Sequence, residues 1–299
     1  MSDTLAVSPL MAWLLAIRPR TLPAAVAPVI VGTALAVFDR GFVLLPALAA
    51  LVCSMLLQIG VNLANDYFDY TKGIDAVERL GPVRVTQSGL IPQQRVKLGM
   101  LVIFLLAALV GVYLIVVGGW PILAVGAASI IAALAYSGGP YPLASHGLGD
   151  VFVFIFFGLV AVCGTYYVQA LALTPLVVIA SVPVGLLISA ILVVNNLRDI
   201  DTDSRVGKRT LAVILGRKGS RIEYIVLLVL SYFMIVIIWL IFPISCLVFL
   251  PILSLPLAWK MTGMIRTQTG AMLNQTLAGT ARLALVFSIL LALGFILSI

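Results

Sequence analysis

Two short stretches of the chain concentrate groups able to hold a metal ion. NLANDYFDYTKGID at 62–75 carries Asn62, Asn65, Asp66, Asp69 and Asp75, and NNLRDIDTD at 195–203 carries Asn195, Asn196, Asp199, Asp201 and Asp203. The whole chain has 11 acidic residues, and with Glu78 seven of them fall in these two windows, a selectivity that solvated loops do not show. On a helix Gln58, Asn62, Asn65, Asp66 and Asp69 follow spacings of three and four and share a face. Asn195, Asp199 and Asp203 do the same at i, i+4 and i+8, with Asn196 beside them. Each stretch sets amides about one turn deeper than a pair of carboxylates. Two facing pairs, Asp66 with Asp69 and Asp199 with Asp203, make an all-oxygen site suited to a hard cation such as Mg²⁺, which shares its shell readily with substrate phosphates. Asn62 and Asn195 would orient the carboxylates or hold a metal-bound water. Two Mg²⁺ ions would balance four carboxylates, so a bound diphosphate would still need cations, and Lys72, Arg79, Arg84, Arg198, Lys208 and Arg209 stand next to the acids. Asp201, Asp75 and Glu78, taken singly, read as caps or solvated charges.

The elements that must position these groups are membrane helices. Hydrophobic residues make up 63% of the chain and charged ones 10%, with a mean hydropathy of +1.21, which excludes an ordinary soluble domain. A helix needs roughly 20 apolar residues to cross the ~30 Å hydrocarbon core. Nine runs qualify, near 12–37, 43–65, 98–117, 121–136, 148–170, 174–198, 222–242, 244–259 and 277–298. The acid-bearing helices continue to about 70 and 203, and the expected fold is an all-α polytopic bundle forming one domain over 1–299. Arg18 and Arg20 lie inside the opening turns of the first run with no basic region ahead of it, so it reads as a retained helix rather than a leader. With the N-terminus inside, 17 of the 18 Lys and Arg residues fall on the cytoplasmic side and only Arg40 outside, which supports this topology and puts both acid clusters at the cytoplasmic surface. The net charge of +7 is largely that orientation signal; it also favours anionic head groups and substrates, and nucleic acid is not an expected partner. Cys53, Cys163 and Cys246 lack metal-ligand spacing and read as packing residues.

The paired motifs resemble those of the UbiA-type intramembrane prenyltransferase superfamily, in which N-D-x-x-D in one half faces D-x-x-x-D in the other. Within it the similarity is greatest to the branch that prenylates 1,4-dihydroxy-2-naphthoate for menaquinone. The blocks that carry it are IRPRTLPAAVAPVIVGTA (17–34), NLANDYFDYTKGID (62–75), GPVRVTQSG (81–89), YSGGPYPLASHGLGD (136–150) and NNLRDIDTDSRVGKRTLAVILG (195–216), to which the last three helices add only hydrophobicity. The resemblance implies nine helices in the inner membrane, two Mg²⁺ ions on Asp66, Asp69, Asp199 and Asp203, and a polyprenyl diphosphate as donor. It also implies a dihydroxynaphthoate-type acceptor whose ring carboxylate is lost as CO₂. Lys72, Arg79 and Lys208 are the expected diphosphate contacts, with Arg18 added by likeness to the family's first-helix arginine. Tyr136, Ser137, Asn196, Asp75 and Asp150 are the expected substrate contacts. The aromatic faces of Tyr67, Phe68, Tyr70 and Tyr136 could shield an allylic cation, and His146 reads as an interface residue.

One departure bears on the acceptor. The hydroxybenzoate branch follows the tyrosine of this loop with a Lys-Arg pair, whereas the segment after Tyr136 and Ser137 has neither residue, which argues against 4-hydroxybenzoate. An ion-coupled transporter, the reading from a different class, would place acids nearer the bilayer midplane.

Overall fold

The computed structural model describes residues 7–73, 80–81 and 83–299; Asp75, Glu78 and Arg79 lie outside the described residues. These residues form helices α1 (Pro9–Ile17), α2 (Pro23–Phe38), α3 (Leu44–Thr71), α4 (Gln93–Gly118), α5 (Trp120–Ser137), α6 (Gly149–Val153), α7 (Ala161–Ala170), α8 (Pro175–Arg205), α9 (Leu211–Ile241), α10 (Leu255–Thr267) and α11 (Leu273–Ile296), with no strand among them. Among the described residues eight spans are long and apolar enough to cross a membrane, and the bent pair at the N-terminus, taken as one span, makes a ninth.

That bent pair corrects the expected continuous helix over 12–37. The chain turns by 49° between α1 and α2. Pro19 disfavours a right-handed helical conformation at the residue before it, and Arg18 adopts φ 55°, ψ 69° instead. The break is satisfied locally: the Thr21 hydroxyl donates to the Arg18 carbonyl at 2.9 Å, and Asn62 Nδ2 donates to the Ile17 carbonyl at 2.8 Å. α1 therefore leaves Leu10, Met11 and Leu14 exposed on an apolar outer face.

The two acid-bearing helices are the overlong ones. At 28 and 31 residues, α3 and α8 extend about 42 and 46 Å, against a hydrocarbon core of about 30 Å. Their final turns leave the apolar layer, and that is where the carboxylates sit. α6 and α7 form one span, Gly149–Ala170, through a π-helical segment at Phe154–Val160. There the segment crosses α8 so closely that a Cβ on Gly158 would lie 2.7 Å from the Gly185 Cα, the small-residue contact by which membrane helices approach.

Two further boundaries differ from expectation. The seventh span starts at Leu211 rather than 222, because the Arg- and Lys-bearing turns continue as helix across a break at Gly216 (φ 69°, ψ 174°). The eighth covers Cys246–Thr267 and begins as a 3₁₀ helix around Pro251, which cannot donate to an α-helical ladder. The last span is more than a hydrophobic filler. Phe287, Leu291 and Phe295 of α11 are fully buried with Leu35 of α2 and Leu187 of α8 in the main core. A second cluster joins Leu63 of α3, Phe104 of α4 and Ala12 of α1 to Val85 and Ile91, so the loop before α4 is anchored by its own apolar side chains.

Candidate active site

A cavity of about 440 Å³ opens between α2, α3, α4, α5, the α6–α7 span and α8. Its polar end is built from the last turns of α3 and α8. Asn62, Asn65 and Asp69 face it from α3, Asn195, Asn196, Asp199 and Asp203 from α8, and Arg18, Tyr136, Ser137 and Lys208 complete the wall. These eleven residues, all singled out from sequence, are brought to one place.

Asp66 is not among them. Its Oδ2 accepts the Val85 amide and its Oδ1 the Thr86 amide, each at 3.1 Å, and the residue is 1% exposed. Expected as a metal ligand, it is turned instead into the loop at 83–91. That loop is closed by bonds from Ser88 N to Arg84 O, Gly89 N to Thr86 O and Ile91 N to Val85 O, with Gly89 at φ 70°. By holding two successive amides, Asp66 fixes Arg84 between them and α3. Arg84 Nη2 then donates to Asp69 Oδ2 at 2.6 Å with both side chains buried, and Lys208 Nζ lies 3.5 Å from Asp69 Oδ1.

The opposite wall repeats the arrangement. Arg198 is 2% exposed, and its Nε and Nη2 donate to the two oxygens of Asp199 at 2.8 and 2.6 Å, while Nη2 also reaches Asn195 Oδ1 at 2.9 Å. Its Nη1 donates to Asn274 Oδ1 at 2.8 Å, and Asn274 Nδ2 donates to the Leu80 carbonyl at 2.9 Å. A Cβ on Gly81 would stand 2.6 Å from Arg198 Nη2, so this glycine lets the loop lie against the guanidinium. Arg198, Arg84 and Asn274 thus belong to the site. The two arginines are visible in sequence as cations next to acids. Asn274 sits in the last span and carries no such signal.

Other expected roles move. Asn62 uses its amide nitrogen on Ile17 O and on Thr21 Oγ1 (2.9 Å) and its Oδ1 on Gln58 (3.4 Å), so it braces the α1–α2 break while lining the cavity. Ser137 Oγ donates to Asn65 Oδ1 at 2.5 Å, joining α5 to α3. Lys72 lies outside the cavity wall. Its Nζ donates to the carbonyls of Ser137 and Gly139 at 2.8 and 3.0 Å, closing the C-terminus of α5. Partial desolvation lowers its pKa, opposed by the nearby Asp69 carboxylate. Asp150 is also off the wall; it is buried, and neither carboxylate oxygen has a hydrogen-bond partner among the described residues. His146 stacks on Tyr141 at 3.6 Å between ring centroids, at the turn before α6.

The charge balance of the wall indicates its ligand. Among the described residues Arg18, Arg20, Arg84, Arg198 and Lys208 stand against Asp69, Asp199 and Asp203, an excess of two positive charges in a partly enclosed site. Beyond the polar end the wall is apolar, passing Leu57, Val125 and Phe156 to Leu114, Ile122 and Val168 near the far end of the bundle. The charged groups gather at one end rather than at mid-depth. No three acidic, Cys or His side chains among the described residues converge on one point, so these residues alone form no closed metal cage. Separate carboxylates on facing walls with amide oxygens between them do fit Mg²⁺, which binds through one or two carboxylates and keeps room for water and phosphate.

Comparison with known proteins agrees with this geometry. 1,4-Dihydroxy-2-naphthoate octaprenyltransferase of Escherichia coli (strain K12) is 44% identical over 221 residues, 72% of each chain. The protein of the same name from Haemophilus influenzae is 35% identical over 293 residues, 95% of each chain. Among solved structures, a UbiA homolog from Archaeoglobus fulgidus bound to GPP and Mg²⁺ superposes with a TM-score of 0.65 at 16% identity, covering 95% of this chain and 99% of that one. Residues 25–272 match the UbiA prenyltransferase family, and with relatives of this identity over nearly the whole chain, the protein belongs to that family of integral membrane prenyltransferases.

Proposed function

We propose that the protein transfers a polyprenyl group from its diphosphate to 1,4-dihydroxy-2-naphthoate, with loss of the ring carboxylate, to give demethylmenaquinol in menaquinone biosynthesis. One observation carries the reading: a single cavity joins a cationic, oxygen-rich end to a long apolar wall, the complement of a ligand with an anionic head and a lipid tail. The acceptor is supported by the printed activity of the relatives and by the lack of Lys or Arg between Tyr136 and Asp150. Residues 1–299 act as one domain in the inner membrane, with the polar end at the cytoplasmic face where the basic residues collect.

Asp69, Asp199 and Asp203, with Asn65 in place of Asp66, are the residues we assign to two Mg²⁺ ions. Bound Mg²⁺ supplies positive charge to the departing diphosphate. Arg84, Lys208 and Arg18 hold the remaining phosphate charge; Arg84 and Lys208 are presented to it by Asp69, and the Asp66 bonds keep Arg84 in register. Pre-placed cations of this kind stabilise developing charge without reorganising, the largest single contribution in many enzymes. Tyr136 and Asn196 border the space between the polar end and the tail wall, where the acceptor ring meets the allylic carbon. The apolar wall excludes water, which would otherwise capture the allylic cation.

The test uses purified protein with Mg²⁺, labelled octaprenyl diphosphate and either dihydroxynaphthoate or 4-hydroxybenzoate. Transfer to the first is expected, and Asp69→Ala and Asp199→Ala abolish it. Transfer only to 4-hydroxybenzoate overturns the acceptor, and transfer to neither overturns the reaction.

A further inference from the structure

One polar group on the cavity wall is left over by the bonds around it. Gln58 of α3 borders the cavity one turn deeper than Asn62, as do Thr21 and the apolar Ala24, Leu57 and Val61. Gln58 is 7% exposed, and its Oε1 has no hydrogen-bond partner among the described residues.

The main chain sets the direction of each bond in this corner. The carbonyls of Ile17 and Arg18 can only accept. The Thr21 hydroxyl therefore donates to Arg18 O at 2.9 Å, and Asn62 presents Nδ2 to Ile17 O at 2.8 Å. With its proton committed, Thr21 Oγ1 can only accept, which it does from Asn62 Nδ2 at 2.9 Å and from Gln58 Nε2 at 3.2 Å. Gln58 Nε2 also reaches Asn62 Oδ1 at 3.4 Å. Both amides are thus held in one orientation, and the network ends on a single open oxygen. A buried acceptor left without a donor is destabilising, so the ligand that completes this corner carries a donor.

The partners in the proposed reaction differ in that respect. A metal-bound diphosphate and a hydrocarbon tail have no donor to offer, whereas a ring hydroxyl has one. In 1,4-dihydroxy-2-naphthoate the hydroxyl beside the carboxylate bonds to it internally, and the 4-hydroxyl is free to donate. Depth agrees, because Gln58 lies about 16 Å along α3 from Asp69 and about 10 Å from Asn65, which leaves room for the diphosphate, the allylic carbon and the ring in succession.

We propose that Gln58 determines acceptor specificity, its Oε1 accepting a hydrogen bond from the 4-hydroxyl of dihydroxynaphthoate. The inference rests on the reading of the reaction as prenylation of that acceptor. It assigns a seating role to a hydroxyl that takes no part in bond formation at the carboxylate-bearing carbon.

The experiment compares kcat/KM for 1,4-dihydroxy-2-naphthoate and for 1-hydroxy-2-naphthoate, which lacks only that hydroxyl, at saturating octaprenyl diphosphate and Mg²⁺. From wild type to Gln58→Met, a side chain of similar length without the amide, the ratio of the two is expected to fall about ten- to hundredfold, the range of one buried hydrogen bond. The fall should come from slower use of dihydroxynaphthoate, and the intrinsic reactivity of each ring cancels because both enzymes meet the same pair. An unchanged ratio, or the equal loss with both acceptors that a merely structural brace would give, overturns the proposal. Thermal melting checks that the variant is folded, and the wild type decides independently: equal kcat/KM for the two acceptors overturns the proposal whatever the variant does. Wild-type transfer to dihydroxynaphthoate upholds the reaction in either case, whereas transfer to neither naphthoate overturns both readings.

Discussion

Asp66 and Asp69 are three residues apart on one helix, yet the structure gives them different work, and exchanging each for Asn separates the two. The Asp66 carboxylate accepts two buried amides, from Val85 and Thr86, at 3.1 Å. Hydrogen bonds to a charged group contribute about 1.5–3 kcal/mol each. Asn keeps one acceptor oxygen and turns an NH₂ toward the other amide, so one bond is lost and two donors are opposed. A loss of about 2–4 kcal/mol of stability follows, a melting temperature lower by several degrees, and a loop that holds Arg84 less well. Asp69→Asn removes charge from the cavity wall itself. The assay is a Mg²⁺ titration of prenyl transfer beside a thermal melt of the detergent-solubilised protein. Asp66→Asn should melt earlier and turn over more slowly at an unchanged half-saturating Mg²⁺ concentration. Asp69→Asn should need far more Mg²⁺ or show no activity at all. If Asp66→Asn raises the Mg²⁺ requirement as much as Asp69→Asn while its melt stays at the wild-type temperature, the assignment of Asp66 to the loop is refuted.

Arg198→Leu leaves Asp199 buried without its partner and should cost about 3–5 kcal/mol of stability; Arg198→Lys should not restore it, since one ammonium cannot replace a guanidinium fork bonded to Asp199, Asn195 and Asn274, and a wild-type melt for either variant would disprove this. Tyr166→Phe removes a 2.6 Å bond to Asp39 away from the cavity, so the melt should fall by about 1.5–3 kcal/mol of stability with kcat unchanged; a large fall in kcat would contradict the separation of that end from the chemistry. Chelation by EDTA should stop turnover and added Mg²⁺ restore it, and turnover that persists through exhaustive chelation would remove the metal from the reaction.

Much of the architecture is determined by the sequence alone. Apolar runs of membrane-crossing length and the one-sided distribution of Lys and Arg depend only on transfer energetics, and those act residue by residue whatever the packing. The placement of two amide-and-carboxylate faces at helix ends follows in the same way from the 3.6-residue period, and Asn65, Asp69, Asn195, Asp199 and Asp203 stand together as that period implies. The assignment of partners within those faces needed the tertiary structure. Residues 66 and 69 lie on nearly the same side of α3, and it is the return of the chain at 83–91 that takes one carboxylate and leaves the other on the cavity wall. The break at Arg18, the use of Asn62 to brace it, and the reach of Asn274 from the last helix to Arg198 likewise join segments far apart in sequence. Hydropathy and periodicity report the environment each residue prefers; which oxygen meets which donor is set by distances between elements, and these exist only once the bundle has closed.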